Sequence, residues 1–477
     1  MLTGGLDIGT SGCKIAVYDE NGKLQHQFYA EYDIARNQGL HEVDLAAVWD
    51  AVCTVLSKAA QPELAAIAVT SFGETFVMLD AQDRPLAPAM LYTDPRGKEE
   101  CESIINRFSW ERLAGITGVK LHCMYSLPKI LWIKHHWPEV FAKAKRICLM
   151  QDYIVYRLTG TQQIDYSLAA RTGAFDLQQK TWFHPLWEAC GISEALLSRP
   201  VPSGTVAGAI KRELAQQLHL SPRLAVVNGC HDQIAAMTGA GVLTGDQVMD
   251  ATGTVECVPV VFNSLPESSE IFTYGYSFAP HINGTYACYA LSYAGGATLK
   301  WFKQAFSDLS YAEMDAQVPD MPTGLLLLPY FAGAATPYMD SSAKAAILGL
   351  TFEHGQADIY KALMEGTAYE ILLNLDVLHR FGIEPKSLLA SGGGAKSDVW
   401  LQIKADILNL PVTALSDAEI GAAGTAYLAG KALGIYGDLS SFAQPRRTFF
   451  PNPQKHAHYH AMYQKYKRLY AAVKEVG

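Results

Sequence analysis

The sequence predicts a two-domain protein of the α/β class, and its length and its order of apolar segments are the observations that predict it. The chain has 477 residues, which is about twice what one ordinary hydrophobic core organises. Strand-like and helical segments alternate along the chain, and the pattern restarts near residue 225. We place the first domain over residues 1–245, the second over 246–440, and a connector with a C-terminal helix over 441–477.

The first domain is predicted to begin with three strands joined by tight turns. Asn21-Gly22 stands between two strand-like runs and is a hairpin-turn signal. Apolar runs indicate strands, and apolar residues at helical spacing indicate helices. The predicted strands cover residues 2–8, 13–18, 24–32 and 64–70, and the predicted helices cover 44–60, 126–136 and 213–218.

The restart near residue 225 leads into the second domain with the same alternation. Small residues at 295–297 precede a helix that is predicted to start near Thr298, and prolines and polar residues at 437–454 are typical of a connector. The predicted strands cover 224–228, 247–251, 255–262 and 387–390, and the predicted helices cover 234–240, 360–378, 398–408, 421–433 and 457–473.

Composition limits the classes of partner. The net charge of −9 offers no general basic surface for a nucleic acid. There is no basic stretch followed by an apolar one at the N-terminus and no apolar run near ~18 residues, so neither a signal peptide nor a membrane span is predicted. The nine cysteines are scattered without a Cys-x-x-Cys pair, which favours a reducing compartment. We expect a cytoplasmic protein with a small-molecule partner, and we leave a homodimer open.

A glycine-rich turn over residues 7–14 carries the groups that hold a phosphate. Its glycines let the backbone approach an anion closely, and Thr10 and Ser11 supply donors. Lys14 adds a cation, and Asp7 can hold a hydrated Mg²⁺. A plain β-turn capped by the aspartate explains the same residues equally well. The two common nucleotide-binding loops, G-x-x-x-x-G-K-[ST] and G-x-G-x-x-G after a strand, are missing from the sequence.

Further small-residue turns follow predicted strands of the second domain. Gly253-Thr254 repeats the setting of the first turn, and three glycines at 392–394 lie between a predicted strand and a predicted helix. Three consecutive glycines exceed what a helix cap needs, so a nucleotide contact is favoured there. The alternatives are an ordinary turn for the first and a helix cap by Ser397 or Asp398 for the second.

Polar residues also follow the strands of the first domain. The sequence His231-Asp232-Gln233 comes between an apolar strand and an apolar helix, where Asp232 can accept a proton from a substrate hydroxyl or can cap the helix. Residues 71–75 and 92–96 likewise come after apolar runs, where open α/β sheets bind ligands. Each of these two segments could equally be a solvated loop.

These motifs together resemble the FGGY carbohydrate kinases, a family that includes glycerol kinase, xylulokinase, ribulokinase and fuculokinase. The resemblance extends from residue 7 to about residue 433. It implies the actin-like (ribonuclease H-like) ATPase fold, with a nucleotide and sugar cleft between two domains. The motifs that carry it lie at 7–11, 126–132, 152–153, 158–160, 231–233, 253–254, 349–350, 365–366 and 391–394.

The resemblance also implies roles for single residues, with ATP and Mg²⁺ as the cofactors. Asp232 matches the catalytic base of the family, and Asp7 and Asp232 match its metal-binding carboxylates. The residues implied in ATP binding are Thr10, Ser11, Lys14, Gly253, Thr254, Gly296, Lys300, Gly393 and Ser397. The residues implied in acceptor binding are Gly73, Glu74, Tyr92, Asp94 and Gln233.

The implied activity is transfer of phosphate from ATP to a terminal hydroxyl of a ketose such as xylulose, ribulose or fuculose. Gly73-Glu74 stands where glycerol kinase has an Arg-Glu pair and xylulokinase a Met-His pair, so the acceptor is left open. A kinase for a polyol such as glycerol or erythritol is the alternative within the family. From another class, an actin-like nucleotide-binding protein without kinase activity is the alternative. An NAD-dependent oxidoreductase is disfavoured by the missing dinucleotide fingerprint.

Overall fold

The protein is described from a computed structural model, which covers residues 1–37, 39–416, 419–439, 442 and 445–475. The chain divides into two compact units. The first unit comprises Met1–Gly241, Ser277–Ala287 and Ala418–Ala443, and the second comprises Val242–Tyr276, Cys288–Asp417 and Gln444–Gly477. This division differs from the one drawn on the sequence, because two later segments of the chain group with the first unit.

The strands of the described residues agree with most of the predicted ones and add short ones that the sequence did not indicate. They are β1 (Leu2–Ile8), β2 (Gly12–Asp19), β3 (Leu24–Glu31), β4 (Ile34–Asn37), β5 (Leu40–Val43), β6 (Leu64–Ser71), β7 (Phe76–Leu79), β8 (Ala89–Met90), β9 (Arg146–Leu149), β10 (Gln163–Asp165), β11 (Phe175–Asp176), β12 (Thr181–Trp182), β13 (Arg199–Val201), β14 (Val206–Ala209), β15 (Ala225–His231), β16 (Gln247–Thr252), β17 (Glu256–Phe262), β18 (Ser277–Pro280), β19 (Tyr286–Ser292), β20 (Leu326–Leu328), β21 (Ala346–Leu348), β22 (Ser387–Gly392), β23 (Val412–Leu415) and β24 (Pro445–Phe449).

Two predicted helices, over 126–136 and 398–408, have the predicted bounds. Along the part of the chain that the structure describes, no helix has both the length and the apolar character needed to cross a membrane. The helices are α1 (Leu45–Lys58), α2 (Lys98–Phe108), α3 (Trp110–Thr117), α4 (Ser126–His136), α5 (Pro138–Phe141), α6 (Met150–Thr159), α7 (Tyr166–Ala170), α8 (His184–Ala189), α9 (Arg212–Gln217), α10 (Asp232–Ala240), α11 (Gly296–Phe306), α12 (Tyr311–Asp315), α13 (Gln356–His379), α14 (Asp398–Leu408), α15 (Ile420–Ala432) and α16 (Pro453–Lys474).

A six-stranded sheet organises the first unit, in the order β14-β15-β6-β1-β2-β3. Strands β15, β6 and β1 are parallel neighbours, and β1 to β3 form the predicted antiparallel run. Ile8 and His231, the last residues of β1 and β15, both pair with Ser71 at the end of β6. The carboxyl ends of three strands therefore lie side by side, and the segments that follow them start from one edge of the sheet.

Helix α15 explains why residues late in the chain belong to the first unit. It packs closely on α10 and on β1. A Cβ atom added to Gly239 of α10 would lie 2.0 Å from the carbonyl oxygen of Ile420, and one added to Gly424 would lie 2.1 Å from that of Ala235. Only glycine allows the two backbones to approach this closely. The contact places the start of α15 next to the strand ends.

The second unit has its own sheet, in the order β19-β17-β16-β22-β23-β24. Strands β16, β22 and β23 are parallel, and Thr252 at the end of β16 pairs with Gly392 at the end of β22. Two predicted glycine turns therefore begin at the same edge of this sheet.

Residues 437–454 were predicted as a connector, and part of that prediction is wrong. Residues 445–449 form β24, which pairs antiparallel with β23 and buries Phe449. A short edge strand that contains a proline and two arginines has little strand signal in the sequence. Residues 440, 441, 443 and 444 of the predicted connector lie outside the described residues.

The C-terminal helix α16 packs into the second unit through its tyrosines. It begins at Pro453, before the predicted start at 457. Buried hydroxyls that donate to carboxylates satisfy both partners. The four tyrosine hydroxyls donate from Tyr459 to Glu365, from Tyr463 to Asp376, from Tyr466 to Glu370 and from Tyr470 to Asp340, over 2.5–2.9 Å.

Candidate active site

Three carboxylates follow or end the parallel strands of the first unit. Asp7 is the next-to-last residue of β1, Glu74 lies shortly after β6, and Asp232 follows β15 directly. Because Ile8, Ser71 and His231 are in register, these side chains start from one edge of the sheet. The structure thus brings together three residues that the sequence predicted separately.

Asp232 does not cap its helix. The strand predicted to end at 228 continues to His231, which takes the N-cap position of α10, so Asp232 is the first residue of the helix. Its Oδ1 is sealed from solvent and lies 3.1 Å from Nε2 of His231, while the side chain as a whole keeps 36% exposure. The cap interpretation of Asp232 is therefore wrong, and one edge of its carboxylate faces open space.

The surroundings of Asp232 favour a carboxylate that takes up a proton near neutral pH. Burial raises the pKa of Asp232 to about 7, the negative charges of Asp7 and Glu74 add to the rise, and the backbone N–H of Gln233 opposes it. Burial, with the positive charge of Arg171, holds the pKa of His231 well below its usual value. The histidine ring beside Asp232 is therefore neutral at pH 7.

Glu74 is held by an arginine that the sequence did not single out. Arg171 donates from Nε to Oε1 of Glu74 over 2.6 Å and also from Nη2 to the same oxygen. Both side chains are buried, and Ser126 Oγ donates to the backbone oxygen of Glu74 over 2.6 Å. Burial raises the pKa of Glu74, and Arg171 works against that rise. Glu74 has a φ of 62°, a left-handed conformation that is uncommon for a non-glycine residue.

Gly73 lies close to two neighbouring side chains, Arg171 and His231. A Cβ atom on Gly73 would lie 3.0 Å from Cγ of Arg171 and 3.2 Å from the ring of His231. These distances are shorter than ordinary van der Waals contact. Arg171 and His231 therefore occupy space next to Glu74 that a larger residue at 73 would need.

The other residues predicted to face the acceptor differ in their exposure. Tyr92 is exposed at the surface. Its pKa is raised, first by partial burial and then by the negative charges of Glu74 and Asp232, so Tyr92 lies near both carboxylates. Gln233 is half-buried, next to Asp232 in α10. Asp94 is buried and accepts hydrogen bonds from the side chain and N–H of Arg96 and from the N–H of His41. Its predicted acceptor contact stays a prediction, beside a clear structural role.

Lys14 lies between two carboxylates. Its Nζ is 3.5 Å from Asp7 and pairs more closely with Glu419, the residue before α15. Burial alone would lower the pKa of Lys14, but Asp7 and Glu419 raise it, so the lysine is charged at neutral pH. Burial raises the pKa of Asp7 in turn. The phosphate contact predicted for Lys14 stays a prediction, and Glu419 is a partner that the sequence analysis missed.

The turn after β1 has the tight form that its glycines predict. The N–H of Gly9 donates to the carbonyl of Gly12 over 2.9 Å, so Thr10 and Ser11 form its tip. Thr10 is half-buried and Ser11 is exposed, and the hydroxyl of Tyr29 donates to the carbonyl of Ser11 over 3.0 Å. The hydroxyls of the tip residues are thus placed beside the edge where Asp7 and Asp232 lie.

Two carboxylates of the first unit, Asp7 and Asp232, are candidates for holding a divalent cation. Among the residues that the structure describes, no group of three or more His, Cys, Asp or Glu side chains could hold a metal by itself. Mg²⁺ usually keeps several waters and binds one or two carboxylates together with substrate phosphates. Asp7 and Asp232 are close enough for the charge of Asp7 to raise the pKa of Asp232. A divalent cation would relieve this repulsion.

The second unit contains a cavity of about 530 Å³ at the edge where its two glycine turns begin. Gly253, Gly296, Gly393 and Ser397, four of the predicted ATP-binding residues, line it. Thr254 and Lys300 are exposed and are not among its lining residues, so their contacts stay predictions. The remaining lining residues are Leu299, Tyr311, Ala312, Asp315, Tyr360, Gly394, Lys396 and Trp400.

The backbone of the glycine turns is tied together around this cavity. The N–H of Gly296 donates to the carbonyl of Gly253 over 2.8 Å, which joins the start of α11 to the turn after β16. A Cβ atom on Gly394 would lie 2.6 Å from Cβ of Thr252, so the two turns touch through this glycine. Glycine-lined backbone at a helix start is a typical binding surface for phosphates.

A buried lysine stabilises the turn between β16 and β17. Nζ of Lys404 donates to Thr252 over 2.9 Å, to Glu256 over 2.8 Å and to Asp250. The side chains of the lysine and both carboxylates are 1% exposed. Burial would lower the pKa of Lys404, but the two carboxylates raise it, so the lysine stays charged. The sequence analysis missed this cluster, because its members lie in three separate elements.

Comparison with known proteins identifies the family. Residues 2–239 match the N-terminal domain of the FGGY family of carbohydrate kinases, and residues 251–433 match the C-terminal domain of the same family. The chain therefore belongs to the FGGY family, as the motifs indicated. It is an ATP-dependent sugar kinase with the two-domain actin-like fold.

Relatives along the whole chain carry sugar kinase names. The chain is 30% identical to a xylulose kinase of Lactococcus lactis, over 99% of this chain and 97% of that protein. Among solved structures, a xylulose kinase from Rhodospirillum rubrum has a TM-score of 0.90 at 26% identity and covers 100% of this chain and 99% of its own. A gluconate kinase from Lactobacillus acidophilus has a TM-score of 0.90 at 26% identity, covering 99% and 98%.

Proposed function

We propose that this protein transfers the γ-phosphate of ATP to a terminal hydroxyl of a ketopentose, with xylulose as the first candidate and Asp232 as the general base. The observation that carries the proposal is the environment of Asp232. It heads α10 at the strand edge without capping the helix, and burial raises its pKa to about 7. The names of the relatives along the whole chain support xylulose as the acceptor.

Asp232 accepts the proton of the acceptor hydroxyl as the hydroxyl oxygen bonds to the γ-phosphorus and ADP leaves. Asp7, with Asp232, would hold a Mg²⁺ ion, which would supply positive charge to offset that of the phosphates. Lys14, Thr10 and Ser11 lie at the same edge of the sheet and serve the transferred phosphate. These roles follow from the family pattern and from the positions of the side chains.

Glu74 binds hydroxyl groups of the acceptor. A carboxylate only accepts hydrogen bonds, which suits the paired hydroxyls of a sugar. Oε1 of Glu74 receives hydrogen bonds from Nε and Nη2 of Arg171, and the charge of Arg171 offsets that of the carboxylate. Asp7, Glu74 and Asp232 together make this edge of the sheet a poor place for an anionic acceptor such as gluconate.

Gly253, Gly296, Gly393 and Ser397 bind the nucleotide. The cavity they line is of the size that small-molecule sites have. The triphosphate lies along the glycine turns, whose backbone can approach it closely.

A polyol such as glycerol is the second candidate acceptor. The observation that favours it is Glu74 itself, since the glycerol kinase pattern keeps a glutamate here and the xylulokinase pattern has a histidine. The missing arginine at position 73 speaks against it, although Arg171 brings a guanidinium next to Glu74 by another route.

A panel of acceptors with ADP release as the readout tests the proposal. The panel contains xylulose, ribulose, fuculose, glycerol, erythritol and gluconate, and a reaction without acceptor. We expect kcat/KM to be highest for a ketopentose, by about tenfold or more over glycerol, a difference of about 1.4 kcal/mol in transition-state binding. A higher value for glycerol would favour the polyol reading. ADP release that does not depend on any acceptor would contradict both.

A further inference from the structure

The lining of the second-unit cavity falls into two chemically different groups. One group is backbone: Gly253, Gly296 and Gly393 belong to the turns described above. The other group is built from side chains, and Asp315 is one of them. A phosphate chain suits the first group, because small residues expose backbone N–H groups to an anion. A carboxylate repels phosphate, so the nucleoside is the part of ATP that suits the second group.

Asp315 is held in one position by two hydroxyl groups. It ends α12, and Tyr360 of α13 donates to its Oδ1 over 2.9 Å. Ser397 donates to its Oδ2 over 2.7 Å. Tyr360 is buried, and the Ser397 hydroxyl also accepts from the N–H of Trp400 over 3.1 Å, which fixes its direction. Each oxygen of Asp315 thus has one fixed donor.

The fixed carboxylate still has room for a further hydrogen bond. An ionised aspartate accepts about four hydrogen bonds and donates none. Two are supplied by Tyr360 and Ser397, and Asp315 lines the cavity. A ligand that meets Asp315 must therefore offer an N–H or O–H donor. In adenosine these donors are the exocyclic amine of the base and the hydroxyls of the ribose, because N1, N3 and N7 of the adenine ring accept and N9 carries the ribose.

We propose that Asp315 is a specificity-determining residue that recognises the nucleoside of ATP by accepting a hydrogen bond from one of these donors. The inference rests on the proposed nucleotide site and adds to it a residue that distinguishes nucleosides by their hydrogen-bond donors. Asp315 was not among the ATP-binding residues predicted from the sequence. Its position, at the end of a five-residue helix, carries no recognisable motif.

Calorimetric titration with nucleotides that lack one donor each tests this proposal without a phosphate acceptor. ATP is compared with purine riboside triphosphate, which has hydrogen in place of the amine, and with the 2′-deoxy and 3′-deoxy forms of ATP. We expect one type of analogue to bind the wild-type protein about tenfold more weakly than ATP, the scale of a hydrogen bond to a charged group. A loss confined to the purine riboside assigns the contact to the amine, and a loss confined to a deoxy analogue assigns it to the ribose.

Variants then assign that discrimination to Asp315. In Asp315→Asn the ratio of ATP affinity to analogue affinity should fall from about ten toward one, whereas in the exposed control Asp308→Asn it should keep its wild-type value. Asp315→Ala removes the carboxylate altogether, so the same ratio should fall toward one there, and this variant serves if Asp315→Asn does not fold.

Two results would overturn the proposal. The first is a wild-type protein that binds ATP and all three analogues equally. The second is an Asp315→Asn protein that binds every nucleotide more weakly by one common factor, which is what a purely structural link between α12, α13 and α14 predicts. A wild-type protein that binds no ATP would instead contradict the proposed nucleotide site itself.

Discussion

The two units build their candidate sites from different material. In the first unit the site consists of charged side chains: Asp7, Glu74 and Asp232, with Lys14 and Arg171 beside them. In the second unit it is a cavity lined by glycine backbone, aromatic rings and a few polar side chains such as Asp315, and a cluster of charges around Lys404 lies buried next to the turn after β16.

This difference indicates that the two units have different tasks in the reaction. Side chains that change protonation suit the acceptor and the proton transfer, and backbone surfaces suit a phosphate chain. Replacing a side chain of the first unit should therefore change turnover, and adding bulk to a turn of the second should change nucleotide affinity. The predicted cleft between the domains concerns both units together and stays a prediction.

The largest expected effect is that of Asp232→Asn. Loss of the general base should lower kcat by roughly a hundredfold or more, the usual scale for such a group. The steady-state rate at saturating ATP and acceptor measures it, and the exposed Asp50→Asn is the matched control. Near-normal turnover of Asp232→Asn would remove this residue from the mechanism.

The next effect concerns the buried lysine of the second unit. Lys404→Met leaves Asp250 and Glu256 buried without their cation, which should lower the free energy of unfolding by about 3–5 kcal/mol. Denaturant unfolding measures the change, and Lys465→Met on the exposed face of α16 is the control. A folded variant should also bind ATP more weakly, because Thr252 loses its support. An unchanged unfolding midpoint would show that the cluster does not hold the turn.

A smaller effect is expected from Arg171→Lys. A lysine keeps the positive charge but cannot make both hydrogen bonds that Arg171 donates to Glu74. The KM for the acceptor should therefore rise about tenfold, while the KM for ATP stays unchanged. Kinetics with each substrate varied in turn separate the two constants. An equal rise in both would mean that Arg171 supports the fold of the first unit and not the acceptor contact.

The smallest effect is a shift of the pH profile. Asp232 must be ionised to accept a proton, so kcat/KM for the acceptor should rise with pH through about 7 and level off above it. Glu74→Gln removes a negative charge that helps to raise the pKa of Asp232, so the midpoint should move to lower pH. The exposed Glu63→Gln should leave it in place. A midpoint that moves upward would contradict the assignment.

What the sequence predicted well is local. The hairpin at Asn21-Gly22, the bounds of α4 and α14, and the glycine turns all depend on residues within a few positions of one another. The sequence did not show which motifs lie together. The strand register does, because Ile8 and His231 both pair with Ser71, which brings three separate motifs to one edge of the sheet. Short strands were missed, since a few residues carry little pattern.

What the sequence could not supply is the set of long-range partners. Arg171 meets Glu74 across 97 positions of the chain, and Lys14 meets Glu419 across 405. Lys404 and Asp315 likewise find their partners on other elements. No periodicity or motif connects such residues, and their pairing follows only from the packing of the elements that carry them.

The affinity for ATP of Asp232→Asn and Gly393→Leu, measured side by side by calorimetry, tests the different tasks of the two units most directly. Asp232→Asn should bind ATP as the wild-type protein does, although its kcat is lowered by roughly a hundredfold or more. Gly393→Leu should bind ATP about tenfold more weakly or worse, because the new side chain enters the cavity that Gly393 lines. Weak binding by Asp232→Asn together with normal binding by Gly393→Leu would contradict the account.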